Sequence, residues 1–218
     1  MKTTFLATLA MTAMASVAAV PVGAQATDAG NKSNATYVAH IHPMNTKATG
    51  VQTKGEARFV VTGDNLTISI TADGLPPDIE HWQHFHGFTD DKDAKCPAAS
   101  ADANKDGIVD LIETEPAAGT TMVPFDSDPV AMDVAHGTYP KASASGSYTY
   151  QETVSLKALT AAFANAVKAP ALDLDRRVIF IHGVPATTKL PSTVASLGPI
   201  PAHVTLPIAC GVIERVSK

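Results

Sequence analysis

Three of the chain's eight histidines fall within six positions, in His81-Trp82-Gln83-His84-Phe85-His86. In an extended segment, side chains two residues apart leave the same face, so His84 and His86 can close on one ion while Phe85 points the other way. His81 stands at the start of the same segment. Neutral imidazole is a good ligand for copper or zinc, and a pair held on one strand loses little extra freedom when it closes on a metal. The same spacing also reads as the polar face of an ordinary strand, and only further ligands from elsewhere decide between the two. A second pair with this spacing, His40-Ile41-His42, is followed by Met44. Imidazole and thioether together suit copper in its reduced state, and a plain half-exposed strand is the competing reading.

A different chemistry is written between Asp102 and Glu113. Asp102, Asn104, Asp106, Asp110 and Glu113 supply side-chain oxygens at the first, third, fifth, ninth and twelfth places of a calcium loop. Gly107 stands at its sharp turn, and the carbonyl of Ile108 at its seventh place. A hard cation needs such oxygens, and one short loop brings them together without tertiary help. The competing reading is an acidic, solvated loop. Cys96-Pro97 before it and Glu115-Pro116 after it do not read as the paired helices of a regulatory site. A structural clip that orders a long insertion is therefore expected rather than a sensor.

The chain that carries these groups is 218 residues long with a formal net charge of -5. Residues 1–24 begin with Lys2, continue through an apolar run and end in small residues, which reads as a secretory signal peptide; residues 25–35 read as a flexible polar segment. Removing the signal takes away Lys2 and no acid, so the remaining chain is more acidic still, without a basic stripe, and nucleic acid is not an expected partner. No later segment approaches the roughly 18 apolar residues of a spanning helix. A secreted or periplasmic protein is expected. The remainder suits one domain with its own core. Its two cysteines, Cys96 and Cys210, form an even pair in an oxidising compartment and read as a disulfide rather than free thiols.

Short stretches of β character at 36–42, 55–62 and 65–72, the last alternating Leu66, Ile68 and Ile70 with Thr67, Ser69 and Thr71, are separated by Gly and Pro turns. Later strands are expected at 147–155, 177–182 and 208–216. The pattern predicts an all-β antiparallel sandwich or barrel with two insertions. The first, 89–134, is rich in Asp, Pro, Ala and Gly and carries the calcium loop 102–113. The second, 155–169, places Leu156, Leu159, Phe163 and Val167 on one helix face, as a cover for one opening of the barrel.

Three separated segments share one pattern. Gly74-Leu75 leads to His81, His84-Phe85-His86, Phe88, Asp90 and Cys96; then comes Val178-Ile179-Phe180-Ile181-His182; last is Ile208-Ala209-Cys210-Gly211-Val212-Ile213. Their order and separation resemble the copper-zinc superoxide dismutases. The resemblance covers residues 36–216 and implies a Greek-key β-barrel, copper held by His84, His86 and His182, a Cys96–Cys210 bridge, and His81 in a supporting role behind the ligands. The chain departs from the family in both loops. No histidine lies between Cys96 and Met132, where the family carries its zinc ligands, so zinc is not expected and the fourth copper ligand is open. His136 is the nearest candidate in sequence, with His203, His40 and His42 as others. Pro207 stands where the family has an arginine that attracts superoxide.

Taken with the signal segment, the calcium loop and the missing zinc histidines, the resemblance leads to the expectation of an exported superoxide dismutase-like protein, copper-loaded and calcium-clipped, with superoxide as its substrate and copper-only dismutation as its activity. Two other classes fit the same residues: a copper-binding envelope protein without catalysis, and a calcium-stabilised β interaction domain without redox metal.

Overall fold

The computed structural model describes residues 34–217; the signal peptide expected over 1–24 and nearly all of the segment 25–35 lie outside them. The strands are β1 (Ala35–Pro43), β2 (Lys54–Thr62), β3 (Asn65–Asp73), β4 (Gln83–Gly87), β5 (Thr120–Pro124), β6 (Ser147–Ser155), β7 (Val178–His182), β8 (Pro207–Val212) and β9 (Glu214–Ser217). Short helices α1 (Thr46–Thr49), α2 (Leu111–Ala118), α3 (Leu156–Val167) and α4 (Ala202–Thr205) lie between them. The class is all-β, and every named strand pairing is antiparallel.

The strand order is β5-β4-β7-β8-β1-β2-β3-β6, with β9 also paired to β1. The chain therefore leaves the sheet after β3, crosses to β4, returns to β6 and crosses again to β7. These crossovers bring His84, His86 and His182 onto adjacent strands, since His84 lies opposite Phe180 and Gln83 opposite Ile181. The sheet curls, and its two ends meet through side chains. Tyr148 Oη donates to Gln83 Oε1 at 2.7 Å, and Tyr150 Oη to the Asp126 carbonyl at 2.8 Å. Both tyrosines stand on β6 and reach β4 and the segment just after β5.

Alternation explains which side chains fill the interior. In β3, Leu66, Ile68, Ile70 and Ala72 are buried while Thr67, Ser69 and Thr71 are not, the period-two pattern of a sheet with one wet face. β4 and β7 are buried at every position. Phe85, Ile179 and Ile181 enter the main core. Val178, Phe180 and Cys210 form a smaller core with Ala94 and Ala118 on the other face. The first insertion is thus what dries the outer face of β4 and β7, the face that carries the histidines.

Three expectations change in detail. Within 89–134, expected as one long loop, α2 and β5 form. α2 starts in a capping box: the Asp110 carboxylate accepts from Ile112 N and Glu113 N, while Glu113 reaches back to Asp110 N. β5 adds the run Thr120-Thr121-Met122-Val123, three of its four residues β-branched, to the edge of β4; the Ala, Pro and Asp around it hide so short a strand. The strand expected over 208–216 is two strands, broken where Ile213 N turns to the Arg177 carbonyl. The helix expected over 155–169 runs as α3, capped by Ser155, with Leu159 and Phe163 buried and Phe163 packed 6.1 Å from the Phe85 ring. The Cys96–Cys210 disulfide closes 114 residues, which corresponds to at most about 4–5 kcal/mol in the chain-entropy account. Among the described residues no helix is long and apolar enough to cross a membrane.

Candidate metal centre

His84 and His86 share the outer face of β4, and His182 ends β7 beside them. The ligating atoms of the three lie within 4.8 Å of one another, and all three side chains are buried. They are the only such group of His, Cys, Asp or Glu among the described residues. His86 Nε2 lies 3.1 Å from His84 Nδ1, and the His84 and His182 ring centroids are 4.6 Å apart. Two ring nitrogens this close either share a proton or lend their lone pairs to one cation.

The hydrogen bonds choose the atoms. His182 Nδ1 lies 2.7 Å from the Thr205 carbonyl, an acceptor only, so Nδ1 carries the proton. His182 Nε2 is then a bare lone pair, buried with no hydrogen-bond partner. Leaving such a group unpaired costs roughly 1–3 kcal/mol, and a bound cation removes that cost. His86 Nδ1 is also buried with no hydrogen-bond partner, and the Gly119 backbone favours the charged ring without outweighing burial. The Thr121 hydroxyl stands 3.1 Å from His86 Nε2.

Burial keeps all three rings neutral, the form that binds metal. It lowers His84 well below the ordinary histidine value, with His182 and His86 adding to the effect. Burial brings His86 down to about 3, assisted by His182, and His182 down to about 4 against the Thr205 carbonyl. Three neutral imidazoles with no carboxylate form a donor set suited to copper or another borderline transition metal rather than a hard cation. The buried, partnerless Nε2 of His182 fits such an ion directly.

His81 is buried behind this group. Its Nδ1 lies 2.9 Å from the His182 carbonyl and its Nε2 2.9 Å from that of Pro76. A neutral ring can donate to only one of them; burial opposes the second proton, the two carbonyls favour it, and the balance lies below the ordinary value. The ring thereby stands between the backbone of a candidate ligand and the turn before β4, donating to one of the two carbonyls. Such contacts hold ligating groups in orientation.

A cavity of about 10 Å³ adjoins the histidines, lined by His84, His182, Thr121, Thr205, Trp82, Leu111, Val134 and Leu197. That is about the space of one water molecule. The Thr205 hydroxyl is buried with no partner. Leu197 covers the site while 40% exposed, on a strap held by the 102–113 loop. Thr193 Oγ1 donates to Asp106 Oδ2 at 2.6 Å, and Ala195 N to Asp110 Oδ2 at 2.6 Å.

The loop is built from turns closed by its own side chains. Asp102 accepts from Asp106 N and Gly107 N, Asn104 from Asp106 N, and Asp106 from Ile108 N. Glu113 accepts from Ala103 N and Asn104 N. Lys105 and Gly107 take positive φ, 62° and 90°; at Gly107 no side chain is required to share that conformation. No three of the loop's four acidic side chains, Asp102, Asp106, Asp110 and Glu113, are gathered as the histidines are, and Ile108 is buried.

The candidates for a fourth ligand lie apart. His136 is exposed, with Nδ1 3.0 Å from Asp133. His203 Nε2 is turned to the Thr188 carbonyl, and His40 and His42 are exposed on β1. Sequence reasoning missed Thr205, Thr121 and the covering Leu111 and Leu197, which chain patterns do not mark. It also missed Asn45, whose side chain bonds Val109 N, Val109 O and Pro207 O and fastens the loop to β8. Its one visible sign is its place just after a strand. No family model matches the chain, and no curated protein is significantly similar to it.

Proposed function

We propose that this is an exported copper protein of superoxide dismutase-like build, with copper held by His84, His86 and His182 and superoxide dismutation as its activity. The observation that carries the reading is the buried His182 Nε2 lone pair, partnerless and facing two further neutral imidazoles. Copper there would supply one-electron chemistry between its two oxidation states. The chain's own groups do the rest. The Thr205 carbonyl fixes the His182 tautomer, and the buried His81 ring packs against the His182 backbone carbonyl. Leu111 and Leu197 limit water. The Thr121 and Thr205 hydroxyls are the polar groups beside the cavity able to hold a small oxygen species by hydrogen bonds. The disulfide supports export. In the same reading calcium occupies the 102–113 loop and orders the first insertion, supported by the loop's residue pattern, its positive-φ turns and its hold on the strap.

The small cavity, about 10 Å³, favours a second reading, in which the site holds copper without turnover. Pro207 begins β8, and no arginine lines the cavity to draw in an anion. Metal analysis of the purified protein, followed by superoxide turnover at equal copper loading with and without His84→Ala/His86→Ala, separates the cases. Turnover that tracks copper and vanishes in the variant supports the enzyme. One copper per chain with no turnover leaves the holding protein, and calcium alone in both samples withdraws copper.

A further inference from the structure

We propose that His40, His42 and Met44 form a second site, open to solvent, for a soft monovalent metal ion such as copper(I) or silver(I). On β1 the alternation buries Ala39 and Ile41 and turns His40 and His42 outward. Their spacing is that of His84 and His86, whose ring nitrogens approach to 3.1 Å, so two imidazoles spaced this way on a strand can share an ion. After Pro43 the chain turns, held by Met44 N donating to the Ile208 carbonyl. His40, His42 and Met44 then line one cavity of about 380 Å³.

The remaining walls define what the cavity takes. Its floor includes Cys96 and Cys210, and His42 lies opposite Cys210 across the sheet. Both sulfurs are in the disulfide, so neither offers a thiolate. The donors are two imidazole nitrogens and one thioether, a soft set that favours the reduced ion and, without thiolate, should release it readily. Glu214 lines the cavity, Glu56 lies 3.8 Å from His40, and no Lys or Arg lines the cavity. The local charge therefore favours a cation.

The test is a silver(I) titration of the purified protein, followed by NMR of labelled methionine methyl groups and histidine rings. The expected result is that one equivalent shifts the Met44 methyl together with the His40 and His42 rings. His40→Ala/His42→Ala should lose that response and one bound equivalent, and Met44→Leu should weaken silver binding without changing zinc binding. A Met44 methyl that does not move, or an unchanged stoichiometry in the double variant, overturns the proposal. The site reports through its own residues, so a failure of the buried centre to bind metal appears separately, in the rings of His84, His86 and His182.

Discussion

Two His-x-His pairs of identical spacing stand on strands of one sheet in opposite surroundings. His84 and His86 on β4 are buried under the first insertion, their rings held neutral far below the usual histidine range. His40 and His42 on β1 face solvent, His40 with Glu56 nearby. Spacing alone thus offers a metal a pair of nitrogens, while burial decides whether the pair is dehydrated, preset and slow to exchange. The buried pair also has a third ring, supplied by the next strand; the exposed pair instead shares its groove with the half-buried Met44 thioether.

The sharpest way to break this contrast is to remove each pair in turn. His84→Ala/His86→Ala should abolish tight metal binding at the centre, and His40→Ala/His42→Ala should leave it intact, as counted by metal analysis after gel filtration. Retention of the tight ion by the first variant would overturn the assignment. The next largest effect concerns the bridge beneath the outer groove. Cys96→Ala/Cys210→Ala should lower stability by up to about 4–5 kcal/mol, read by urea denaturation. A loss below about 1 kcal/mol would mean that the loop closure contributes little.

Acid sharpens the contrast further. The buried rings have folded-state values of about 4 for His182 and about 3 for His86, below an unfolded value of about 6.5. The unfolded chain therefore binds more protons between these limits. Stability is fully present above about 6.5 and is lost as pH falls toward the folded values. For His182 alone the loss is on the order of 3 kcal/mol. Metal-free protein should show this fall in stability between about pH 6.5 and 4, and His84→Ala/His86→Ala should flatten much of it. The same slope in the variant would place the acid sensitivity elsewhere.

Much of this was legible in the chain because it depends on local periodicity. The alternation of β3, the face shared by His84 and His86, and the helix face of α3 follow from spacings of two and of three or four. What was not legible depends on contacts between distant residues. β5 is five residues long and exists because the edge of β4 accepts it. The lone pair on His182 is selected by the Thr205 carbonyl, 23 residues away. Asn45 acts across 64 and 162 residues, a reach that no local pattern records.

The smallest effect expected concerns how the buried pair stays closed. Asp110 uses Oδ1 to cap α2 and Oδ2 to hold Ala195 N, two residues before the Leu197 that covers the cavity. Asp110→Ala removes both roles and should cost about 1–2 kcal/mol. Asp110→Asn separates them. Its amide oxygen can still cap the helix about as well as a carboxylate, while its amide nitrogen cannot accept from Ala195. Stability near that of the natural protein should therefore accompany faster loss of bound cobalt or zinc from the histidines, measured by chelator competition. Exchange at His40 and His42 should not change, because no part of the strap lines that groove. An unchanged release rate in Asp110→Asn would show that the strap lies over the site without closing it. The slow exchange would then come from burial by the first insertion alone.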